Sequence, residues 1–135
     1  MTIEEKLDEL REDFDIFDDP RDKFSQLMDI GKQAPTFDPI NRTEDNRIRG
    51  CTSQAWLMWE KKEDESYTFQ ADSDAFIVKG LLTILTTIFE NQQLADIIHY
   101  NGETILSALG LDGAISSQRT NGFVSALEKI KRELQ

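Results

Sequence analysis

One cysteine, one histidine and three prolines stand among 135 residues, and basic residues are outnumbered 15 to 26 by acidic ones. A lone thiol, Cys51, closes no internal disulfide, so the chain reads as a protein of a reducing compartment. A structural zinc or iron–sulfur site needs several thiolates or imidazoles at fixed spacing, and Cys51 with His99 supplies neither CxxC nor HxxxH. No metal site and no resident cofactor are expected. His99 lies between Ile98 and Tyr100 and is read as a core or edge histidine satisfied by one hydrogen bond, with no triad around it. No GxGxxG occurs, and Gly31-Lys32 lacks the earlier glycine of a phosphate loop. A net charge of −11 excludes phosphate-backbone binding, which needs clustered Lys and Arg. The acidity serves solubility or encounter with a basic partner face. The longest apolar stretch, residues 75–89, holds Lys79, Gly80 and three threonines and is too short for a membrane span. The opening Thr2-Ile3-Glu4-Glu5-Lys6 is a polar helix start rather than a secretory leader. A soluble cytoplasmic protein follows, with no nucleic-acid and no membrane partner.

What is present organises into one domain, residues 1–135. A helix over 2–16 is predicted from the Thr2/Glu5 capping box and from Ile3, Leu7, Leu10 and Phe14 at helical spacing. Asp19 and Pro20 restart the chain as a second helix carrying Phe24, Leu27, Met28 and Ile30, ended by Gly31. Residues 33–47 hold two prolines and many polar groups and read as an irregular surface connection. Residues 54–61 and 67–71 form a hairpin, with a short strand at 47–50 alongside. Asp72-Ser73-Asp74 caps a central helix over 74–91 that is apolar almost all round. Short helical pieces at 94–98 and 103–109 precede a last helix, capped by Ser116 or Ser117, whose inward stripe is Phe123, Leu127, Ile130 and Leu134. The class is α+β, a small antiparallel sheet of about three strands flanked by helices.

Cys51 is the candidate for chemistry, against the alternative of a small packed hydrophobe. Gly50 before it lets backbone approach closely, and Thr52, Ser53 and Gln54 follow. Arg47 and Arg49 are close in sequence, and positive charge favours the thiolate. No general base is placed beside it, so the chemistry suited to this thiol is sulfur-to-sulfur transfer. That needs one carrier thiol, an acceptor thiol on another protein, and shelter.

Ile48-x-Gly50-Cys51-x-Ser53-Gln54-x-Trp56-Leu57 resembles the acceptor-cysteine segment of the SufE family of sulfur-acceptor proteins. Asp72-Ser73-Asp74-Ala75-x-Ile77-Val78-Lys79-Gly80-Leu81 and Ser117-x-Arg119-x-Asn121-Gly122 resemble two further blocks of that family, in the same order. The resemblance implies an α+β fold similar to the IscU scaffold, with Cys51 as the sulfur-carrying residue. It implies a SufS-type cysteine desulfurase as partner, which carries the pyridoxal phosphate, and delivery to an iron–sulfur scaffold complex of the SufBCD type. The chain is then an activator and carrier rather than a free-standing enzyme. A paralogous CsdE-like carrier serving a CsdA-type desulfurase, in a pathway such as RNA modification, is the alternative. A binding module in which Cys51 is merely packed is the rival of a different class. Trp56 and the central helix are expected to shelter Cys51. Gln54 is expected to anchor the loop through its backbone. Asp74 would cap the helix and face the partner. Arg119 either contacts the loop and thiolate or caps the last helix.

Overall fold

Short polar caps start four of the helices, each by a local hydrogen bond. Thr2 Oγ1 accepts from Glu5 N at 3.1 Å while the Glu5 carboxylate accepts from Thr2 N at 3.0 Å. Asp19 accepts from Arg21 N, Asn101 from Thr104 N and Ser116 from Arg119 N. The computed structural model describes residues 1–135. In chain order the elements are α1 (Ile3–Asp15), α2 (Pro20–Lys32), a 3-10 turn (Pro39–Asn41), β1 (Ala55–Lys61), β2 (Ser66–Ser73), α3 (Phe76–Phe89), β3 (Gln92–Gln93), α4 (Leu94–Ile97), α5 (Gly102–Ala108) and α6 (Ser117–Leu134). The α+β class stands as expected.

The sheet is antiparallel, ordered β1-β2-β3, with Ala55 opposite Ser73 and Lys61 opposite Tyr67. Its third strand is Gln92–Gln93, paired with β2. The strand expected at 47–50 is a single bridge, Arg47 to Trp56, on the outer edge of β1. Gly50 at φ +88° turns the chain away there, so pairing cannot continue.

α3 carries seven β-branched residues, each costing up to about 0.7 kcal/mol of helix propensity. Burial decides against that cost, at roughly 1.5–3 kcal/mol for each large side chain removed from water. Eight of its apolar residues, from Ile77 to Phe89, join the core. The threonines turn their hydroxyls back onto helix carbonyls, as Thr83 does onto Lys79 at 2.7 Å. The stripe Phe123, Leu127, Ile130 and Leu134 of α6 is buried as predicted.

Gly31 does not end α2, which runs on through Lys32. A Cβ on Gly31 would stand 2.1 Å from the Phe76 carbonyl oxygen, and one on Gly80 would stand 2.1 Å from that of Leu27. The two glycines instead let the backbones of α2 and α3 touch. The central helix is also shorter than predicted. Ala75 occupies its cap position without a side-chain hydrogen bond, and Asp74 points elsewhere.

Candidate functional site

Cys51 sits in the short loop between Ile48 and Ala55, and hydrogen bonds fix both of its ends. Ile48 N donates to Ala55 O at 2.9 Å and Leu57 N to Asn46 O at 2.7 Å. On the far side Gln54 N donates to Asp74 Oδ1 at 3.1 Å. The Gln54 carbonyl accepts from Asp74 N at 3.1 Å and from Ser73 Oγ at 2.7 Å. Gln54 is thus bonded through both its backbone N–H and its carbonyl, and Asp74 serves the loop rather than the helix cap. The free span is residues 49–53.

Gly50 turns this span inward. Its φ of +88° is a conformation that L side chains rarely adopt, and a Cβ there would lie 2.7 Å from Ser125 Oγ. Cys51 therefore lands on α6 opposite Gly122, where an added Cβ would lie 3.2 Å from Sγ. Glycine at position 122 is what lets the thiol reach the helix surface.

The half-buried Cys51 borders a small cavity of about 10 Å³ lined on its apolar side by Ile48, Ala55, Val78, Leu81, Leu82 and Phe123. That volume holds about one further heavy atom, close to the smallest space that takes a water. Thr52, Gln118 and Arg119 complete its rim. Arg119 Nη1 is buried without a hydrogen-bond partner, the one buried side-chain nitrogen or oxygen in the chain so placed. An orphaned buried donor is costly and calls for an explanation. Arg119 shares its helix face with Gly122, three residues on, and borders the same cavity as Cys51. Its backbone N–H donates to the Ser116 cap, and no side-chain hydrogen bond joins it to the cysteine loop.

The arginines nearest in sequence do not serve the thiol. Arg47 and Arg49 both pair with Glu44, at 3.5 and 3.6 Å, and the cation at the cavity comes from α6 instead. Trp56 lines no part of the cavity. Alternation along β1 puts Ala55 and Leu57 on the core side, and Trp56 is buried on the opposite face, beside its register partner Asp72. Ser53 is half-buried in the loop and does not line the cavity. His99 is exposed rather than in the core, beside Tyr100 and Thr2 and away from the cavity wall.

Sequence reasoning missed the roles of Gly122 and Ser125, which the helical spacing of Arg119, Gly122, Phe123 and Ala126 marks as one face of α6. No helix is long and apolar enough to cross a membrane.

The chain is similar to known proteins. A family model described as SufE, Fe-S metabolism associated domain, matches residues 8–134 and so takes in most of α1, which holds none of the three motif blocks. An uncharacterized SufE-like protein of Rhizobium meliloti (strain 1021) is 35% identical over 132 residues, 96% of this chain and 94% of that protein. A SufE-like protein of Rhizobium etli is 34% identical, over 94% of this chain and 88% of its own length. SufE-like protein 1, chloroplastic/mitochondrial, of Arabidopsis thaliana is 29% identical over 95% of this chain, which spans 34% of that longer protein. The solution structure of a hypothetical protein from Thermus thermophilus shares the fold at a TM-score of 0.75 and 17% identity, covering 96% of this chain and 93% of that one. The cysteine loop, the central helix and residues 119–122 of α6 thus lie within the matched span, and the chain belongs to the SufE family, associated with iron–sulfur metabolism.

Proposed function

We propose that this chain is a sulfur carrier that takes persulfide sulfur onto Cys51 from a SufS-type cysteine desulfurase, stimulates that enzyme, and passes the sulfur to an iron–sulfur scaffold of the SufBCD type in the cytoplasm. The observation that carries the reading is Arg119, which borders the apolar cavity beside the only thiol and whose buried Nη1 has no partner, while the cavity has room for about one more atom. A sulfur added to Cys51 would occupy that space and give the guanidinium an anionic partner, since charge-assisted hydrogen bonds are the stronger kind. The apolar wall would keep reductants and peroxide away from it. Asp74, beside the loop, would face the incoming partner.

The transfer itself balances without a cofactor on this chain. Cys51 gives up its proton, and its thiolate attacks the outer sulfur of the partner's persulfide. A new S–S bond forms at Cys51 as the partner's S–S bond breaks. The partner's cysteine leaves as a thiolate and takes up a proton. The carbon–sulfur bond of L-cysteine is broken beforehand by the partner, whose pyridoxal phosphate supplies that chemistry, so this protein acts by thiol exchange alone.

Intact-protein mass after incubation with an active SufS-type desulfurase and L-cysteine tests the reading. The expected result is a reductant-sensitive gain of one sulfur, absent in Cys51→Ser, whose melting temperature stays at the wild-type value. A gain retained in Cys51→Ser would contradict it. A gain seen with a CsdA-type desulfurase and not with the SufS type would reassign the partner and keep the chemistry.

A further inference from the structure

Two buried charged side chains lie outside the cavity, and both hold the same stretch of chain just upstream of Cys51. Asp72 on β2 is 1% exposed. Its Oδ2 accepts from Arg42 Nε at 2.8 Å and lies 2.7 Å from a second Arg42 nitrogen, while its Oδ1 is 3.4 Å from Lys79 Nζ. The Arg42 guanidinium also sits 5.4 Å from the Trp56 ring centroid, within cation–π range. On α6, Lys129 is 7% exposed. Its Nζ donates to the Asp45 carbonyl at 3.0 Å and pairs with Glu133, which in turn accepts from the Trp59 indole at 2.9 Å. None of these side chains lines the Cys51 cavity.

Buried ion pairs add little net stability over apolar replacements, and their best-attested use is to fix one arrangement among several. Here the two arrangements hold Arg42 and the Asp45 carbonyl, just upstream of Asn46 and Ile48, which bond to β1 through their backbones. We propose that Arg42, Asp72 and Lys129 are positioning residues that clamp residues 42–48 to the sheet and to α6, and so hold Cys51 docked over its cavity. With the clamp in place only residues 49–53 move, and Cys51 reaches no farther than about 10 Å from Ile48 even when its loop is fully extended. The partner's persulfide must then come to the loop. Without the clamp residues 42–45 lose both tethers, the upstream end of the loop rests on the backbone bonds of Asn46 and Ile48 to β1 alone, and the docked population falls.

The purpose given to the clamp rests on the sulfur-carrier reading, but its test needs no desulfurase, so either can fail alone. Cys51 is the only thiol, so alkylation of the native protein by iodoacetamide reports it without ambiguity. Rates are measured across pH 6–10 for the wild type, Arg42→Gln, Arg42→Lys and Lys129→Met, beside a thermal melt of each. Arg42→Gln and Lys129→Met are expected to label at least threefold faster. Arg42→Lys falls between, because it keeps the charge and loses the forked geometry. An acceleration below threefold overturns the clamp. Arg42 is half-exposed and Asp72 retains Lys79 in its absence, so the Arg42 variants decide the matter should Lys129→Met fail to fold.

Discussion

Glycine admits a close neighbour at the α2–α3 crossing and again at the cysteine loop, and the neighbour differs. A Cβ on Gly31 or Gly80 would meet a backbone carbonyl of the facing helix at 2.1 Å. A Cβ on Gly122 would meet the Cys51 sulfur at 3.2 Å, on a loop with five free residues. At the crossing nothing can yield, because both partners are helix backbone. At the loop the side chain and its span can withdraw. The fold therefore places its tightest contact in a rigid scaffold and docks its reactive group by a contact that can open.

Breaking each contact separately tests that difference. Gly80→Ala should cost about 3 kcal/mol, at the upper end of ordinary overpacking, read by urea unfolding. A cost under about 1 kcal/mol would mean that the helices slide apart freely. Gly122→Ala should barely change the melting temperature. Its better helix propensity, worth about 0.5–1 kcal/mol, offsets the displaced contact. Cys51 alkylation should rise several-fold as the loop undocks. A loss of stability as large as that of Gly80→Ala would show the site to be as rigid as the crossing.

The smallest effect concerns the scaffold alone. Tyr100 donates its hydroxyl to Glu4, and burial, with that hydrogen bond, pushes its pKa up from 10.0 to about 12. The folded state holds the phenol proton more tightly than the unfolded chain. The contribution to stability is therefore complete below pH 10 and is lost as pH rises towards 12. Tyr100→Phe should flatten this alkaline loss in melts between pH 9 and 11, by a small amount because the ring is only partly buried. Cys51 labelling should be unaffected. An altered labelling rate would tie this corner of the scaffold to the loop.

How much of this is legible in the sequence follows from the range of each interaction. The capping box at Thr2, the Asp19-Pro20 restart and the Ser116 cap are contacts between residues two or three apart, and all are readable. The inward stripe of α6 is readable from its period. Gly31 reads wrongly as a helix end because its partner, the Phe76 carbonyl, is remote in sequence. Asp72 reads wrongly as part of a cap for the same reason, since Arg42 lies thirty residues away. Trp56 is expected on the wrong face because a large aromatic outweighs small Ala55 in the sequence, whereas the core takes Ala55 and the strand's alternation fixes the rest. β3 is two glutamines, with no apolar alternation to find. At the site, the motifs point to Cys51 and Arg119, and to the loop anchor at Gln54. The orphaned nitrogen and the one-atom cavity exist only once α3, α6 and the loop are assembled.

The most direct test of the account is the structure of the persulfidated protein, with the sulfur atoms located by their anomalous scattering. The account predicts a second sulfur on Cys51 inside the cavity walled by Val78, Leu82 and Phe123, within hydrogen-bond distance of Arg119 Nη1. A second sulfur turned out to solvent, with the cavity empty and Arg119 still unpartnered, would contradict it.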